Sequence, residues 1–363
     1  MNTTITTAVL QDLVAKAVKG SSMVDKLPLT CLMQVKVKDN KLTVSTTDNT
    51  NHLTVFANVQ ANDFEAVVDS KLFSALVSKL STDNTTLSIE ENKLIVEANG
   101  KYNIALPVDS DGSSIKFTEP YIIENKEGTL VGTEAIKSIL TLNKSCKAEM
   151  KELPALFNYY MDSEKVLTTD FYKACSNPIK VVEEAVCLPP NLMELVPYIC
   201  DNDGVKVVTD ENNIMFYSST GRLCGKKCIK EELEAFPVSD LMESLNDGIP
   251  YACKINRTLL INAIDRICLF VDTYNSNKIT LIFNNKQVTL HSDSTNSNES
   301  LIYLAELPPE TPEFKIDVDA LFLKNQLSAC NQEQLTIKFG NEAAIQIQCD
   351  KVALLLSVLG EDE

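Results

Sequence analysis

Histidine is scarce in this sequence, and the motifs that mark many enzyme sites are missing. His52 and His291 are the only two histidines, and neither lies near a serine or cysteine in a context that suggests a nucleophile. The sequence has no P-loop and no Gly-x-Gly-x-x-Gly motif with which to bind a nucleotide. We therefore expect a protein that is not an enzyme.

Metal-binding patterns are also few. Cys224 and Cys228 are separated by three residues, but no second pair accompanies them, and a structural zinc site needs four ligands. A nucleic-acid enzyme of an unrecognised type would need carboxylates around Mg²⁺. The only dense acidic groups, at 183–184 and 231–234, are expected in solvated loops, so we expect no metal and no cofactor.

Long apolar runs are absent as well. The longest, such as Val352 to Leu356, are far shorter than the ~20 residues that span a bilayer. The first six residues have neither the basic start nor the apolar core of a signal peptide. The eleven cysteines are odd in number and irregularly spaced. We therefore expect a cytoplasmic protein with reduced thiols and no membrane partner.

A short pattern that occurs three times indicates the domain organisation. In each copy a lysine opens a run of β-branched and apolar residues that ends in a hydroxyl residue and an aspartate, which predicts a strand leading into a turn. The aspartates are Asp48, Asp170 and Asp293, at intervals of 122 and 123 residues, and one third of the 363-residue chain is 121. We therefore predict a triplicated domain, with boundaries at 1–120, 121–249 and 250–363.

Each third of the chain has the same order of predicted elements: helix, strands, helix, strands. The helices are predicted from apolar residues at helical spacing and from capping residues such as Asp69, Ser70 and Asn256. Their predicted ranges are 9–20, 70–80, 134–147, 191–200, 257–271 and 320–330. The sequence therefore predicts an α+β fold in which each repeated domain has two helices packed on antiparallel sheets.

Basic charge is concentrated on these helices although the chain as a whole has a net charge of −17. The predicted helices contain four acidic residues and ten basic ones. The basic residues are Lys16, Lys19, Lys71, Lys79, Lys137, Lys144, Lys147, Arg257, Arg266 and Lys324. They are interpreted either as an ordinary solvated face or, if the repeat closes into a ring, as a positive lining around a polyanion. Without an Arg-rich motif they favour phosphate contacts, which are independent of base sequence.

Three stretches of the sequence resemble the bacterial DNA polymerase III beta subunit family, the sliding clamps. They are Leu27-Pro28-Leu29 with the run 42–48, Val68 to Phe73 with Lys79-Leu80, and Asn256 to Arg266. In order and spacing the resemblance covers nearly the whole chain. It implies three domains of one fold, two chains joined head to tail as a homodimer, and a six-domain ring around double-stranded DNA.

The resemblance also implies the role and the partners. A sliding clamp is a processivity factor in DNA replication that tethers the replicative DNA polymerase, is opened by a clamp loader, and has no 3'-5' exonuclease or other activity of its own. The family binds short partner peptides in an apolar pocket. The matching positions are Leu156, Thr169, Phe171, Tyr172, Lys173, Ala174, Pro237, Met242, Leu354, Leu356, Ser357, Val358 and Leu359. Alternatively, the aliphatic residues at 354–356 complete a core strand.

The predicted pocket departs from the family pattern. Phe171-Tyr172-Lys173-Ala174 stands where the family usually has Gly-His-Arg-Leu, and a bulky Phe171 in place of glycine would narrow or reshape the pocket. The acidic tail Glu361-Asp362-Glu363 adds negative charge beside it. These departures suggest a divergent or phage-encoded member whose peptide preference differs.

The resemblance places the dimer interface at two apolar pairs, Ile104 with Leu106 and Leu269 with Phe270. Apolar pairs on exposed edges would suit strand pairing between subunits, although the same residues could be ordinary core. An acidic, monomeric protein-binding scaffold that does not encircle DNA is the alternative function. The mass of the native particle discriminates between the two.

Overall fold

The structure is a computed structural model that describes residues 2–22, 28–124, 127–149, 154–271, 277–284, 286–292, 297–302, 311–340 and 343–359. Strands form most of its regular structure, because apolar and β-branched residues alternate with polar ones along them. In chain order the described strands are β1 (Asn2–Thr6), β2 (Leu32–Lys38), β3 (Lys41–Thr47), β4 (His52–Asn58), β5 (Phe64–Asp69), β6 (Asn84–Glu90), β7 (Lys93–Glu97), β8 (Lys101–Ala105), β9 (Thr129–Val131), β10 (Tyr159–Met161), β11 (Val166–Thr169), β12 (Lys173–Asn177), β13 (Val186–Leu188), β14 (Val205–Thr209), β15 (Asn213–Tyr217), β16 (Gly221–Lys226), β17 (Tyr251–Asn256), β18 (Lys278–Phe283), β19 (Gln287–Ser292), β20 (Ser297–Ile302), β21 (Phe314–Asp319), β22 (Gln334–Phe339), β23 (Ala344–Cys349) and β24 (Val352–Ser357).

The chain divides into two compact units. Unit 1 comprises Met1–Ile136 with Asn191–Lys227, and unit 2 comprises Lys137–Pro190 with Cys228–Glu363. Unit 1 contains the sheets β1-β6-β7-β8 and β5-β2-β3-β4-β16-β15-β14-β9. Unit 2 contains the sheets β13-β10-β11-β12-β24-β23-β22-β17 and β20-β19-β18-β21. The predicted α+β fold is confirmed, and the three domain boundaries remain predictions.

Each eight-stranded sheet joins strands that are far apart in sequence. In unit 1, β16 pairs with β4, so that Gly221 lies opposite Val55 and Cys224 opposite His52. A Cβ atom on Gly221 would lie 2.5 Å from Ile199 Cγ2 and 2.9 Å from the Thr54 carbonyl oxygen. Only glycine leaves room for this approach.

Helices cover the sheets and begin close to the predicted positions. Asp69 and Asn256 cap α2 and α9 as predicted, by accepting hydrogen bonds from the Leu72 and Leu259 amides. The α-helices are α1 (Thr7–Ala17), α2 (Ser70–Val77), α3 (Thr133–Ser138), α4 (Lys144–Cys146), α5 (Pro154–Phe157), α6 (Pro190–Met193), α7 (Lys230–Glu234), α8 (Val238–Asn246), α9 (Arg257–Ile267) and α10 (Ala320–Ala329). Short 3₁₀ segments extend α1 to Gly20 and α9 to Phe270, and a π turn, Ile139–Asn143, joins α3 to α4.

Two sequence predictions about helices were wrong. The helix predicted at 191–200 is only the short α6 followed by a 3₁₀ turn at Val196–Tyr198, because Pro197 has no amide hydrogen to continue an α-helix. The acidic stretch 231–234, expected in a loop, lies in α7. The amphipathic α8 was not predicted, although Leu241 and Leu245 have helical spacing and are buried.

The predicted aspartate turns are confirmed in two of the three repeats. Asp48 Oδ1 accepts hydrogen bonds from the Thr50 and Asn51 amides, at 2.9 and 2.7 Å. Asp170 Oδ1 accepts them from the Tyr172 and Lys173 amides, at 3.0 and 2.7 Å. The third aspartate, Asp293, lies outside the described residues, as do Leu27 and the acidic tail 361–363.

A buried polar network ties the π turn to the strands β11 and β12. Asn143 is fully buried, and its Nδ2 donates to the Val166 carbonyl oxygen at 3.1 Å. Its Oδ1 accepts from Asn177 Nδ2 at 3.1 Å, and its carbonyl oxygen accepts from Thr168 Oγ1 at 2.8 Å. The helical segment therefore fixes the strands that lead to the Asp170 turn.

Among the described residues, no helix is both long and apolar enough to cross a membrane. In the same part of the chain, no three His, Cys, Asp or Glu side chains are grouped so that they could hold a metal ion.

Replacing Asn143 with alanine should destabilise unit 2. The substitution leaves Asn177 Nδ2 and the Val166 carbonyl short of a partner in a buried site, so we expect a loss of about 1–3 kcal/mol in the free energy of unfolding. Urea denaturation followed by circular dichroism measures it. The exposed Asn58→Ala on β4 is the control, and equal midpoints for the two variants would contradict a stabilising role.

Candidate functional site: an apolar groove and the basic helix faces

A groove of about 170 Å³ lies in unit 2, where β12 and β24 run beside α8. The register places Ala174 opposite Leu355 and Lys173 opposite Leu356. The lining residues are Thr169, Phe171, Tyr172, Lys173, Ala174, Pro237, Asp240, Leu241, Ser244, Leu355 and Ser357. Seven of the residues predicted for the peptide pocket are thus brought together: 169, 171–174, 237 and 357.

The other predicted pocket residues lie beneath or beside the groove. Leu354 and Leu356 are fully buried in the core that α9 and α10 cover, whereas Leu355 faces the groove. Leu156 is buried in the same apolar cluster as Leu241 and Leu355, and Met242 packs against that cluster.

The chain that follows β24 leaves the groove. Val358 packs against the core beneath α9 and α10. The Leu359 amide donates to the Asp317 carbonyl oxygen at 2.8 Å, which holds this residue to β21.

Sequence reasoning missed Asp240, Leu241, Ser244 and Leu355. The first three lie on α8. The helical spacing of its apolar residues was the signal that could have predicted this helix. Leu355 lies in a continuous apolar run in which no alternation marks the faces, and a shift of one residue along a strand reverses the face.

Asp170 organises the turn at one end of the groove. Its Oδ2 lies 3.2 Å from Lys173 Nζ, which in turn lies 4.3 Å from the centre of the Phe322 ring. The Lys173 side chain is only 6 % exposed. A buried ammonium group is tolerated here because a carboxylate and an aromatic face both contact it.

Phe171 and Tyr172 form an exposed aromatic rim. Phe171 is 65 % exposed and has a φ of 75°, a left-handed backbone that normally favours glycine. Holding a phenylalanine in it costs on the order of 1 kcal/mol. Tyr172 is also exposed. The two rings therefore offer apolar surface to a bound molecule without filling the groove floor.

The basic helix residues differ in how far their charge is already paired. Lys16 pairs with Asp12 at 2.7 Å, and Lys324 pairs with Asp265 at 2.5 Å, which raises the pKa of Lys324. Arg266 binds both carboxylate oxygens of Glu299 and holds the pKa of that carboxyl below its usual range.

Two further basic residues bond to backbone oxygens. Arg257 Nε donates to the Gln332 carbonyl at 2.8 Å. Lys147 is buried, donates to the Ala148 carbonyl at 3.0 Å and lies over the Phe157 ring. A charge-reversing substitution at Lys147 would therefore disturb packing as well as surface charge.

Three lysines of unit 1 are exposed, and no ion pair is found for them within the described ranges. Lys19, Lys71 and Lys79 lie on the solvent side of α1 with its 3₁₀ extension and of α2, which pack against each other. Lys137 and Lys144 are also exposed but have interactions of their own. Among the basic helix residues of unit 1, those with charge available for an anion are therefore on the α1–α2 face.

The residues predicted for the dimer interface differ in their exposure to solvent. Ile104 is a buried residue of β8, the terminal strand of its sheet, and Leu106 is half-buried just beyond that strand. Leu269 is 79 % exposed, and Phe270 beside it is also exposed. An exposed pair of large apolar residues is typical of a protein interface.

Comparisons with known proteins give one family-model match and a set of solved structures of the same fold. Residues 1–112 match the family model described as the DNA polymerase III beta subunit, N-terminal domain. No curated protein matches the sequence.

Solved structures match the whole chain. The beta subunit from Streptococcus pyogenes is similar with a TM-score of 0.85 at 14% identity, over 99% of this chain and 100% of that one. The sliding clamp from Bacillus subtilis gives 0.83 at 16% identity over 99% of both chains. The Helicobacter pylori beta clamp, solved bound to a DNA ligase peptide, gives 0.81 at 16% identity over 99% of this chain and 100% of that one.

The resemblance inferred from the sequence is thereby confirmed: residues 1–112 match the model of the DNA polymerase III beta subunit N-terminal domain, and along its length the chain has the fold of the bacterial sliding clamps.

Proposed function

We propose that the protein is a non-catalytic DNA sliding clamp of the cytoplasm. Two copies join head to tail into a ring of six repeated domains, which a clamp loader opens and which encircles duplex DNA without sequence specificity. The ring tethers a replicative DNA polymerase and other partners. The observation that carries the proposal is the match of the fold to sliding clamps over 99% of the chain.

The DNA-facing surface in this proposal is the set of basic helix residues predicted from the sequence. The α1–α2 face supports it best, since Lys19, Lys71 and Lys79 keep exposed charges there. In unit 2, the exposed Lys137 and Lys144 belong to the same proposed set of DNA-facing residues. Long, exposed lysines suit contacts with phosphates, which position a protein on DNA but do not read bases.

The groove in unit 2 is proposed as the site for partner peptides. Its floor combines Ala174, Leu241 and Leu355, and its volume of about 170 Å³ is close to that of an apolar cavity that accepts benzene, about 150 Å³. It therefore suits one leucine or phenylalanine side chain. Asp240 adds a carboxylate at the groove, so a basic residue beside the anchor is favoured.

Shortening the groove residues should weaken peptide binding. Tyr172→Ala removes an exposed aromatic contact, and Leu355→Ala removes part of the apolar floor, so we expect each to lower affinity about tenfold. Fluorescence anisotropy measures it, with labelled peptides that carry a leucine or phenylalanine anchor beside a lysine, and with the ligase peptide of the Helicobacter clamp.

The matched control for the groove is Leu130→Ala, an exposed leucine on β9 of unit 1. Unchanged affinity for folded Tyr172→Ala and Leu355→Ala variants would place the peptide site elsewhere.

Reversing the charge of the α1–α2 face should weaken retention on DNA. The triple variant Lys19→Glu, Lys71→Glu and Lys79→Glu removes phosphate contacts, so we expect faster loss from nicked circular DNA and a smaller dependence of retention on salt. The control triple, Lys93→Glu, Lys230→Glu and Lys315→Glu, changes net charge equally at exposed sites off these helices. Equal loss from both triples would mean that only net charge matters.

The oligomeric state tests the ring itself and separates it from the monomeric scaffold. Light scattering after size exclusion, in reducing buffer and over a dilution series, should give a particle of twice 40.1 kDa. Leu269→Asp with Phe270→Asp should shift it towards the monomer, because charges would be buried at the apolar contact. A stable wild-type monomer would favour the scaffold.

A further inference from the structure

A second concave site lies in unit 1, on the face of the eight-stranded sheet that turns away from α1. It is a hollow of about 360 Å³ over β2, β3, β4 and β16. Leu42 and Val44 of β3 are buried in the core on the α1 side, so Thr43 and Ser45, which alternate with them, point to the opposite face. The hollow is therefore separated from the core by the sheet itself.

Polar side chains form the floor of this hollow. Gln34, Ser45, Thr54 and Arg222 lie opposite one another in a single row across the four strands. The first three are buried, and Ser45 Oγ lies 3.1 Å from Thr54 Oγ1. Gln34 Nε2 already donates to Glu65 Oε1 at 2.9 Å, and one of the two hydroxyls donates to the other. The second hydroxyl hydrogen is left as a donor at the base of the concavity, in a position that the strands fix.

Basic side chains line the walls of the hollow. Lys41 comes from the first residue of β3 and Arg222 from β16, with β4 between the two strands. No acidic partner is found for either among the residues that the structure describes. Arg222 Nε is buried without a hydrogen-bond partner. Burial and the nearby guanidinium of Arg222 together lower the pKa of Lys41, which lies 3.4 Å above the Phe56 ring centre.

The carboxylates that line the described part of the hollow belong to Glu119, which Lys36 contacts, and to Asp39, in the turn between β2 and β3. Lys36 lies 3.3 Å from Glu65 and 3.9 Å from Glu119, so its charge is already balanced. Lys38 and Asp39 are exposed at the rim. The uncompensated positive charge therefore belongs to Lys41 and Arg222, and a bound anion would relieve the repulsion between them.

We propose that this hollow binds a small molecule through its phosphate group, held between Lys41 and Arg222 over the Ser45 and Thr54 hydroxyls. A phosphate presents several acceptor oxygens in a tetrahedral arrangement, which suits a guanidinium fork, an ammonium group and a hydroxyl donor from separate directions better than a planar carboxylate does. The volume of about 360 Å³ is within the range of small-molecule sites. The inference does not depend on the proposed clamp function.

Titration of the full chain with inorganic phosphate and with pyrophosphate tests the proposal. Isothermal calorimetry measures affinity, and backbone amide NMR shifts at Ser45 and Thr54 report the place of binding. We expect saturable binding with shifts at these two residues, and tighter binding of pyrophosphate if the natural ligand carries a diphosphate. Acetate should not bind.

Variants identify the residues that hold the anion. Lys41→Gln and Arg222→Gln should each lower affinity at least tenfold, and Arg222→Lys should keep part of it. Lys93→Gln, an exposed lysine of β7, is the matched control and should bind as the wild type does.

Two results would overturn the proposal. One is the absence of saturable binding of either anion at millimolar concentration. The other is wild-type affinity in folded Lys41→Gln protein, whose side chain is exposed enough that folding should not be affected. Thermal unfolding of each variant checks that the fold is intact.

Discussion

The structure depends on hydrogen bonding between strands that belong to different thirds of the chain. In unit 1 this pairing joins β4 to β16, and in unit 2 it joins β12 to β24. Each pairing turns two smaller sheets into one eight-stranded sheet. We call these two strand pairings, β4–β16 and β12–β24, the seams, and both concave sites lie along them. The groove opens where Ala174 is paired with Leu355, and the hollow opens where Arg222 is paired with Thr54.

The seams also show why two sites of opposite character occur on similar sheets. At the β12–β24 seam, a continuous apolar run places Leu355 at the groove, and the groove floor is apolar. At the β4–β16 seam, the outward positions are hydroxyl and basic residues, and the hollow is polar. The backbone geometry is shared, so the difference lies in which residues alternate onto the outer face.

Much of the fold could be predicted because its signals are local. Burial alternates over the first four residues of the strand Lys41–Thr47, the turn at Asp48 is made by its own carboxylate, and Asn256 caps the helix that follows it. The sequence could not show that Leu355 rather than Leu354 faces the groove, since both neighbours in the run are leucine. Nor could it show that Lys324 is paired with Asp265 from another helix, or that Lys147 is buried, because these contacts depend on packing.

The β4–β16 seam has a consequence for synthesis. The residues of β16 leave the ribosome more than 160 positions after those of β4. At a translation rate of about 5–20 residues per second, β4 waits roughly 10–30 s with an open edge. The unpaired N–H and C=O groups of such an edge are a template for pairing with another nascent chain. Chaperone capture during translation should therefore matter more for this protein than its final stability would suggest.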